Sequence, residues 1–393
     1  MKPPSCLRSL RFRLSLAGSL ALLASRSSRA ESDASYKYET YDEANGRIAV
    51  KTHNALLEQD LGTDMHVKVE GVIDSITGAT PTGLPAPAGS TQVDLTQMHD
   101  RRKAWNAELL RQFPGFSLTL GVANSRESDY VSNGWSINTV TEFNQKNTLL
   151  LAGVAGTNDN VQEYFQPDHA YVKKRTNDLI LGVNQLLDPH TSVTVNLSWG
   201  RAVGYLSDPH KVVPYLIVAD PGPPPIVLLS SIAENRPDER NKWILYASLN
   251  RSFPEVRGAL EASYRFYHDT FGTNAHTLQA SWLQRLGDPF ILQPELRLYQ
   301  QTAASFYYYD LTRTSIVPTG AAPHPAGPFF SSDYRLAALR SYTYGLKLTW
   351  VATPWLQLDF AVREYEMRGR DGVTPDSAFP RARIVSSGVK FSW

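Results

Sequence analysis

The chain has 393 residues, 42% of them hydrophobic, with 39 lysines and arginines against 38 aspartates and glutamates. It carries no basic stripe that would indicate nucleic-acid binding, and its single cysteine, Cys6, excludes a disulfide framework. The longest apolar runs after the first 30 residues, such as 149–155, are far shorter than the roughly 20 residues of a spanning helix.

The first 30 residues are typical of a secretory signal peptide. A basic start precedes an apolar run at 14–24, and Ser28 and Ala30 place small residues where a signal peptidase cleaves. We expect cleavage after Ala30. The mature chain, 31–393, then loses Cys6 and six basic residues, which leaves 33 Lys and Arg against 38 Asp and Glu, a net charge of −5. A chain without cysteine suits an oxidising compartment.

Most of the mature chain consists of segments in which apolar and polar residues alternate. Clear examples are 65–74, 193–199, 342–350 and 356–363. Period two is the period of a β-strand and places one set of residues on each face. The segments are joined by seven short connections, at 61–64, 113–115, 145–146, 188–190, 253–257, 287–289 and 351–354. Between them lie mostly longer, polar connections, at 78–100, 127–133, 158–172, 205–239, 269–274, 304–331 and 369–380.

This alternation predicts an all-β protein, a transmembrane antiparallel up-and-down β-barrel with short periplasmic turns and long extracellular loops. A spanning sheet must close, because an open edge in lipid leaves backbone groups unpaired. If 35–41 forms the first strand, the count is sixteen, and bacterial barrels have even numbers. Aromatic residues flank most short turns, and the chain ends in an alternating strand with a terminal aromatic, at 389–393.

These features predict a protein of the bacterial outer membrane. Its expected partners are outer-membrane lipid and, through Phe391 and Trp393, the barrel assembly machinery. Small solutes are possible ligands, whereas no nucleic acid and no cofactor are expected. No nucleophile-elbow pattern is present in the sequence, so an enzyme is not expected, and an integral-membrane hydrolase is only a distant alternative.

Charged residues on the predicted inner face balance, with seven acids and seven bases. The predicted lumen-lining residues are Lys51, Lys68, Glu70, Asp74, Glu108, Asp178, Glu261, Arg265, Glu295, Arg297, Lys347, Asp359, Arg363 and Lys390. They line either a hydrated channel with little ion preference or an interior filled by paired charges. Sixteen strands favour the hydrated lumen, unless the long loop 205–239 folds into it.

Histidines beside carboxylates in the predicted outer loops are candidate metal ligands, because imidazole and carboxylate together bind divalent metals. The candidates are His99, Asp100, Asp168, His169, Asp208, His210, His268 and Asp269. The alternative is a set of unrelated loop histidines, since no two of them share a short ligand spacing on one element.

Five motifs, in chain order, resemble an uncharacterised family of Gram-negative outer-membrane proteins known as domain of unknown function 3570. They are Gly-Ala-Thr-Pro-Thr-Gly at 78–83, His-Asp-Arg-Arg-Lys-Ala at 99–104, Gly-Tyr-Leu-Ser-Asp-Pro at 204–209, Asn-Arg-Pro-Asp at 235–238 and Ser-Ser-Asp-Tyr-Arg-Leu at 331–336. The resemblance implies an outer-membrane β-barrel and no activity or catalytic residues. It also implies an aromatic residue and a serine at the positions of His210 and Glu239.

Asp and Arg residues at the base of the long loop 205–239 are expected to pair and fold that loop inward. Structural locking of the loop is the favoured interpretation, and ligand binding is the alternative. The leading functional hypothesis is a passive or gated conduit. The alternative is a surface receptor, an adhesin or a metal-binding barrel that uses its outer loops.

Overall fold

Sixteen of eighteen β-strands close into one antiparallel barrel, in a computed structural model that describes residues 32–84, 86–87, 89–163, 170–219, 226–318 and 327–393. The predicted number of barrel strands is therefore confirmed. The predicted signal peptide lies outside the described residues. The barrel strands are β1 (Asp33–Glu43), β2 (Ala49–Leu61), β3 (Met65–Pro81), β4 (Leu95–Phe113), β5 (Phe116–Arg126), β6 (Tyr130–Phe143), β7 (Thr148–Gln162), β8 (Tyr171–Asp188), β9 (Thr191–Gly204), β12 (Glu239–Phe253), β13 (Gly258–Asp269), β14 (Asn274–Leu286), β15 (Phe290–Gln301), β16 (Leu339–Thr353), β17 (Leu356–Gly369) and β18 (Arg381–Ser392).

The first and last strands close the ring. β1 pairs with β18 along its whole length, from Asp33 opposite Ser392 to Glu43 opposite Ala382. Just beyond this ladder, the backbones of Ser32 and Trp393 exchange two hydrogen bonds, of 3.1 and 2.9 Å. The first strand is longer than the predicted 35–41, and its pairing removes the exposed edge that an open sheet would present.

The outward face of the barrel carries an apolar belt between two girdles of exposed aromatic rings. One girdle lies at the short-turn end and includes Phe116, Phe143, Phe290, Trp350, Trp355, Phe391 and Trp393. The other comprises Trp105, Trp135, Trp199 and Trp243. Each of these lies eight to ten residues from the end of its strand that adjoins a short turn. At about 3.3 Å per residue and a strand tilt of about 40°, the girdles are about 20–25 Å apart, which matches a bilayer-spanning belt.

The two ends of the barrel differ. The seven turns at one end contain two to four residues, whereas most connections at the other end are longer. The connection between β9 and β12 contains a separate antiparallel hairpin, β10 (Val212–Ala219) and β11 (Ile226–Ala233), which the sequence analysis did not predict. Among the described residues, no helix has the length and apolar character needed to cross a membrane.

The main buried apolar clusters lie at the long-loop end. One cluster contains Val213, Leu311 and Phe330, and another contains Phe271, Ala304, Phe306 and Leu336. Most of these residues belong to two connections, which we call the lid: 205–219 and 226–238 between β9 and β12, and 302–318 and 327–338 between β15 and β16. The long connections therefore pack against one another over the barrel mouth.

Candidate functional site

The wall of the lumen carries most of the predicted charges. The strand register places thirteen of the fourteen predicted residues on the inward face. They alternate along each strand with exposed apolar residues, which face outward. Asp359, for example, is opposite Thr349, while the neighbouring pair Leu348 and Phe360 faces outward.

Lys51 is the exception and corrects that prediction. It lies opposite Ser75 and shares the outward face of β2 with the exposed Leu57. Residues 51–54 are Lys-Thr-His-Asn, four polar residues in succession, so alternation does not define the face there. A shift of one residue moves every side chain of a strand to its other face.

Several inward charges form ion pairs, four of them between neighbouring strands and two, Asp178 with Lys242 and Glu295 with Arg363, across one intervening strand. The pairs are Asp74 with Arg102 at 2.7 Å, Asp178 with Lys242 at 2.5 Å, Asp33 with Lys390 at 2.8 Å, Glu58 with Lys68 at 3.9 Å, Asp359 with Lys347 at 4.0 Å, and Glu295 with Arg363. Sequence reasoning missed Arg102 and Lys242. The alternation along their strands indicates that both face inward, but the residues with which they pair are defined only by the register between strands.

The lumen beneath the lid is accessible to water. The side chains of Asp178 and Lys390 point inward and remain 43% and 41% exposed. The short turns cannot cover the opposite end, because a four-residue segment spans at most about 14 Å. The inward charges therefore line a solvated space that is covered from the long-loop end.

The lid crosses the barrel mouth to the far wall. Lys211 donates from Nζ to the carbonyl of Pro81, and the backbone N–H of Val212 donates to Thr82 at 3.4 Å. Five strands, β8 to β4, separate β9 from β3 around the ring. Gly83 permits this contact: its φ is +102°, and a Cβ there would collide with the Val212 carbonyl and the Ser332 hydroxyl.

A buried ionic network joins the two halves of the lid. Arg335 contacts Asp208 at 2.7 Å, and Arg236 contacts Asp333 at 3.0 Å, so each bridge links one connection to the other. Arg236 also contacts Glu234 at 2.6 Å. We call Asp208, Glu234, Arg236, Asp333 and Arg335 the lock. The side chains of Glu234 and Asp333 are almost wholly buried.

The electrostatics of the lock favour ionised Asp333 and Asp208. Burial opposes their ionisation, but Arg335 and the nearby Lys211 outweigh it and hold the pKa of both carboxyls below the usual range. Burial raises the pKa of Glu234, although Arg236 opposes that effect. The pKa of Arg236 is raised, because its acidic neighbours outweigh its own burial. Asp208 and Asp333 therefore stabilise the closed lid above their ordinary pKa, and that contribution is lost as the pH falls.

Four of the five motifs quoted for the family resemblance meet at the lock. Residues 204–209, 235–238 and 331–336 supply Asp208, Arg236, Asp333 and Arg335, and Gly83 of the first motif supports them. The expected pairing of Asp and Arg at the two bases of loop 205–239 is wrong, because Asp208 and Arg236 take Arg335 and Asp333 of the second connection as partners instead of each other.

The two departures from the expected motifs have partners of their own. Nε2 of the buried His210 lies 2.7 Å from Oδ2 of Asp129, in the connection between β5 and β6. Glu239 accepts two hydrogen bonds of 3.0 Å from Arg201 on the outward face.

The candidate metal ligands do not gather as adjacent pairs. Asp168 and His169 lie outside the described residues. His99 and Asp100 are consecutive strand residues and point to opposite faces, as do His268 and Asp269. The ring of His268 stacks on Trp243 at 5.6 Å.

The acidic candidates have other partners. Asp269 is buried and bound by Arg240 and Tyr267, and Asp208 belongs to the lock. Folding does bring Asp100, Glu127 and Asp129 together, with carboxylate oxygens within 4.8 Å of one another. Carboxylate oxygens are ligands that hard cations prefer. Glu127 and Asp129 were not predicted, because they approach Asp100 from another connection.

Comparison with known families identifies the chain. The sequence profile of the family described as "Protein of unknown function (DUF3570)" matches residues 14–374. The chain belongs to this family. No curated protein matches it significantly. A closed barrel with an apolar belt between aromatic girdles is the form of a bacterial outer-membrane protein, and that is the location of this chain.

Three solved outer-membrane structures are similar to this chain at low identity. OmpTdeltaL8, a loop L8 deletion mutant of an outer membrane protein of Vibrio cholerae, is 8% identical and has a TM-score of 0.44, covering 93% of this chain and 100% of its own. A bacterial polysaccharide outer membrane secretin is 9% identical, with a TM-score of 0.46 and coverages of 92% and 98%. The siderophore receptor PirA from Pseudomonas aeruginosa is 13% identical, with a TM-score of 0.41 and coverages of 93% and 62%.

Proposed function

We propose that this protein is a gated conduit for small solutes, and that the lid is its gate in the closed position. The observation that carries the proposal is the lock, which joins two connections over a lumen whose charged wall water still reaches. A covered mouth above a solvated lumen is the arrangement expected of a closed pore.

The chemistry of the lock suits a gate better than a permanent plug. Burying an ion costs several kcal/mol, so well-packed apolar residues often stabilise a core at least as well as a buried ion pair. Attraction between the charges of the lock favours closure, as do apolar contacts such as Val213 with Leu311 and Phe330, but the charges regain their hydration when the lid opens. These opposing terms keep the free-energy difference between closed and open lids small.

Planar-bilayer recording of the refolded protein tests the proposal. Deletion of 206–236 removes half of the lid, and we expect large, steady conductance where the intact chain shows long closed periods. The matched control deletes 216–229, which joins the cross-strand partners Tyr215 and Ser230 and retains Lys211 and the lock. This control should gate like the intact chain. Absence of conductance from the folded 206–236 deletion would refute the conduit.

The receptor or adhesin alternative is supported by a different observation. The two strands of the β10–β11 hairpin contain no charged residue, and they expose Leu216, Leu228 and Leu229, the last at 60%. An exposed apolar hairpin is suited to contact with an apolar partner. If this is the main role, the 216–229 deletion should abolish attachment of the cells to hydrophobic surfaces while conductance stays absent from every variant.

A further inference from the structure

Two cations face each other on the outward surface of the barrel. Lys103 on β4 lies directly opposite Arg126 on β5, and both side chains are exposed. Trp105, which belongs to the aromatic girdle nearer the long-loop end, is two residues from Lys103 on the same face. The pair therefore lies where the apolar belt ends, at the depth of lipid headgroups.

The next row of the same surface adds two more cations. Arg101 is opposite Ser75 on β3, and Ser75 is opposite Lys51 on β2. We call Lys51, Arg101, Lys103 and Arg126 the rim patch. Three of the four belong to or adjoin the strand segment of the His-Asp-Arg-Arg-Lys-Ala motif, which the lid does not use.

The rim patch has no acidic partner within ion-pair distance among the residues that the structure describes. Several other cations of the outward rim have acidic partners: Arg201 with Glu239 at 3.0 Å, Arg383 with Glu364 at 2.7 Å and Arg381 with Glu366 at 3.0 Å. In the part of the chain that the structure describes, none of the four rim-patch residues has an ion pair within 4.0 Å. Like charges directly opposite each other destabilise a sheet. In a mature chain of net charge −5, such a cluster is not a product of basic composition.

We propose that the rim patch binds the phosphate groups of a phosphorylated glycolipid in the outer leaflet, with the acyl chains lying along the belt below Trp105. Arginine binds phosphate through paired hydrogen bonds and lysine binds it as a point charge. From β2 to β5 the patch spans three strand spacings, about 14 Å, which is too wide for a single phosphate. A headgroup with two phosphates fits that width.

Native mass spectrometry of the detergent-purified protein with a synthetic bisphosphorylated glycolipid tests the assignment. The variant Lys103→Gln with Arg126→Gln should retain this lipid at least about tenfold less well, since hydrogen bonds to charged groups contribute about 1.5–3 kcal/mol. The matched control, Arg201→Gln with Arg383→Gln, removes two paired cations from the same rim and should retain it fully. Dephosphorylated lipid should bind weakly to every variant. Equal retention by the two double variants would overturn the proposal.

A stability measurement separates lipid binding from a merely strained surface. In a zwitterionic detergent, Lys103→Gln should raise the unfolding midpoint, because it relieves repulsion with Arg126. With the bisphosphorylated lipid present, the same substitution should lower the midpoint, because a bound phosphate loses a partner. A rise under both conditions would refute binding. Equal protection by inorganic phosphate alone would indicate a free-anion site and would overturn the lipid assignment.

Discussion

Replacement of Arg335 by methionine should open the lid. Its guanidinium lies 2.7 Å from Asp208 and 2.8 Å from Asp333, so the substitution leaves two acids facing each other in a buried site. Breaking a buried pair costs about 3–5 kcal/mol, and we take about 3 kcal/mol because the Arg335 side chain is 21% exposed. That free energy shifts the ratio of closed to open lid by about 100-fold.

Single-channel recording measures this ratio from the fractions of time spent open and closed. Arg201→Met is the matched control, because Arg201 forms an equally direct pair with Glu239 on the exposed outward surface. Such surface pairs contribute only about 0–1 kcal/mol, and Arg201 pairs with Glu239 on the outward face of the barrel wall rather than with the lock, so its gating should be unchanged. Heat-modifiable mobility on gels verifies that both barrels are folded. A change below about threefold for Arg335→Met would refute the lock as the energetic basis of closure.

Acidification should also open the lid: as the pH falls below the ordinary aspartate pKa of about 4, Asp333 and Asp208 bind protons more readily in the open lid than in the closed one, so their contribution to closure declines and open probability should rise in acidic but not in neutral buffer. Leu358→Arg should destabilise the barrel by about 2–4 kcal/mol in lipid vesicles, because it places a cation in the belt, while Asp359→Asn on the inward face should be tolerated. Equal effects would mean that the register is wrong. Removal of residues 391–393 should prevent assembly, since Phe391 and Trp393 complete the closing strand, and normal outer-membrane levels would contradict this.

The barrel was predictable because every strand carries its own periodic pattern. Alternation at 342–350 defines both the strand and its lipid face, and the parity of the connections required a first strand near residue 35. The face of β2 was not predictable around Lys51, where four consecutive polar residues remove the pattern. The β10–β11 hairpin escaped notice because its strands lie inside a connection, without the alternation of a half-exposed barrel strand.

The lid was only partly predictable. Its motifs carry the expected Asp and Arg residues, but their partners are distant in sequence: Lys211 reaches a carbonyl 130 residues away, and His210 contacts an acid 81 residues away. No local pattern specifies which loops meet across a mouth, because the diameter of the ring and the strand register decide it. For the same reason, the rim patch could not be predicted, because the register between neighbouring strands is what places its four cations side by side.

The anchoring of the lid on opposite walls determines the order of assembly. Lys211 of the lid bonds to the end of β3, which is separated from β9 by five strands, so the strands between them must pair before the lid closes, and we expect pairing of β1 with β18 to precede it as well. Contacts between the two ends of a chain form late in folding, because a long loop must close first. Each newly inserted molecule therefore passes through a stage in which its ring is complete and its mouth is uncovered. If the protein is the conduit proposed above, the permeability of the membrane during biogenesis would then depend on how quickly the lid closes over each new barrel.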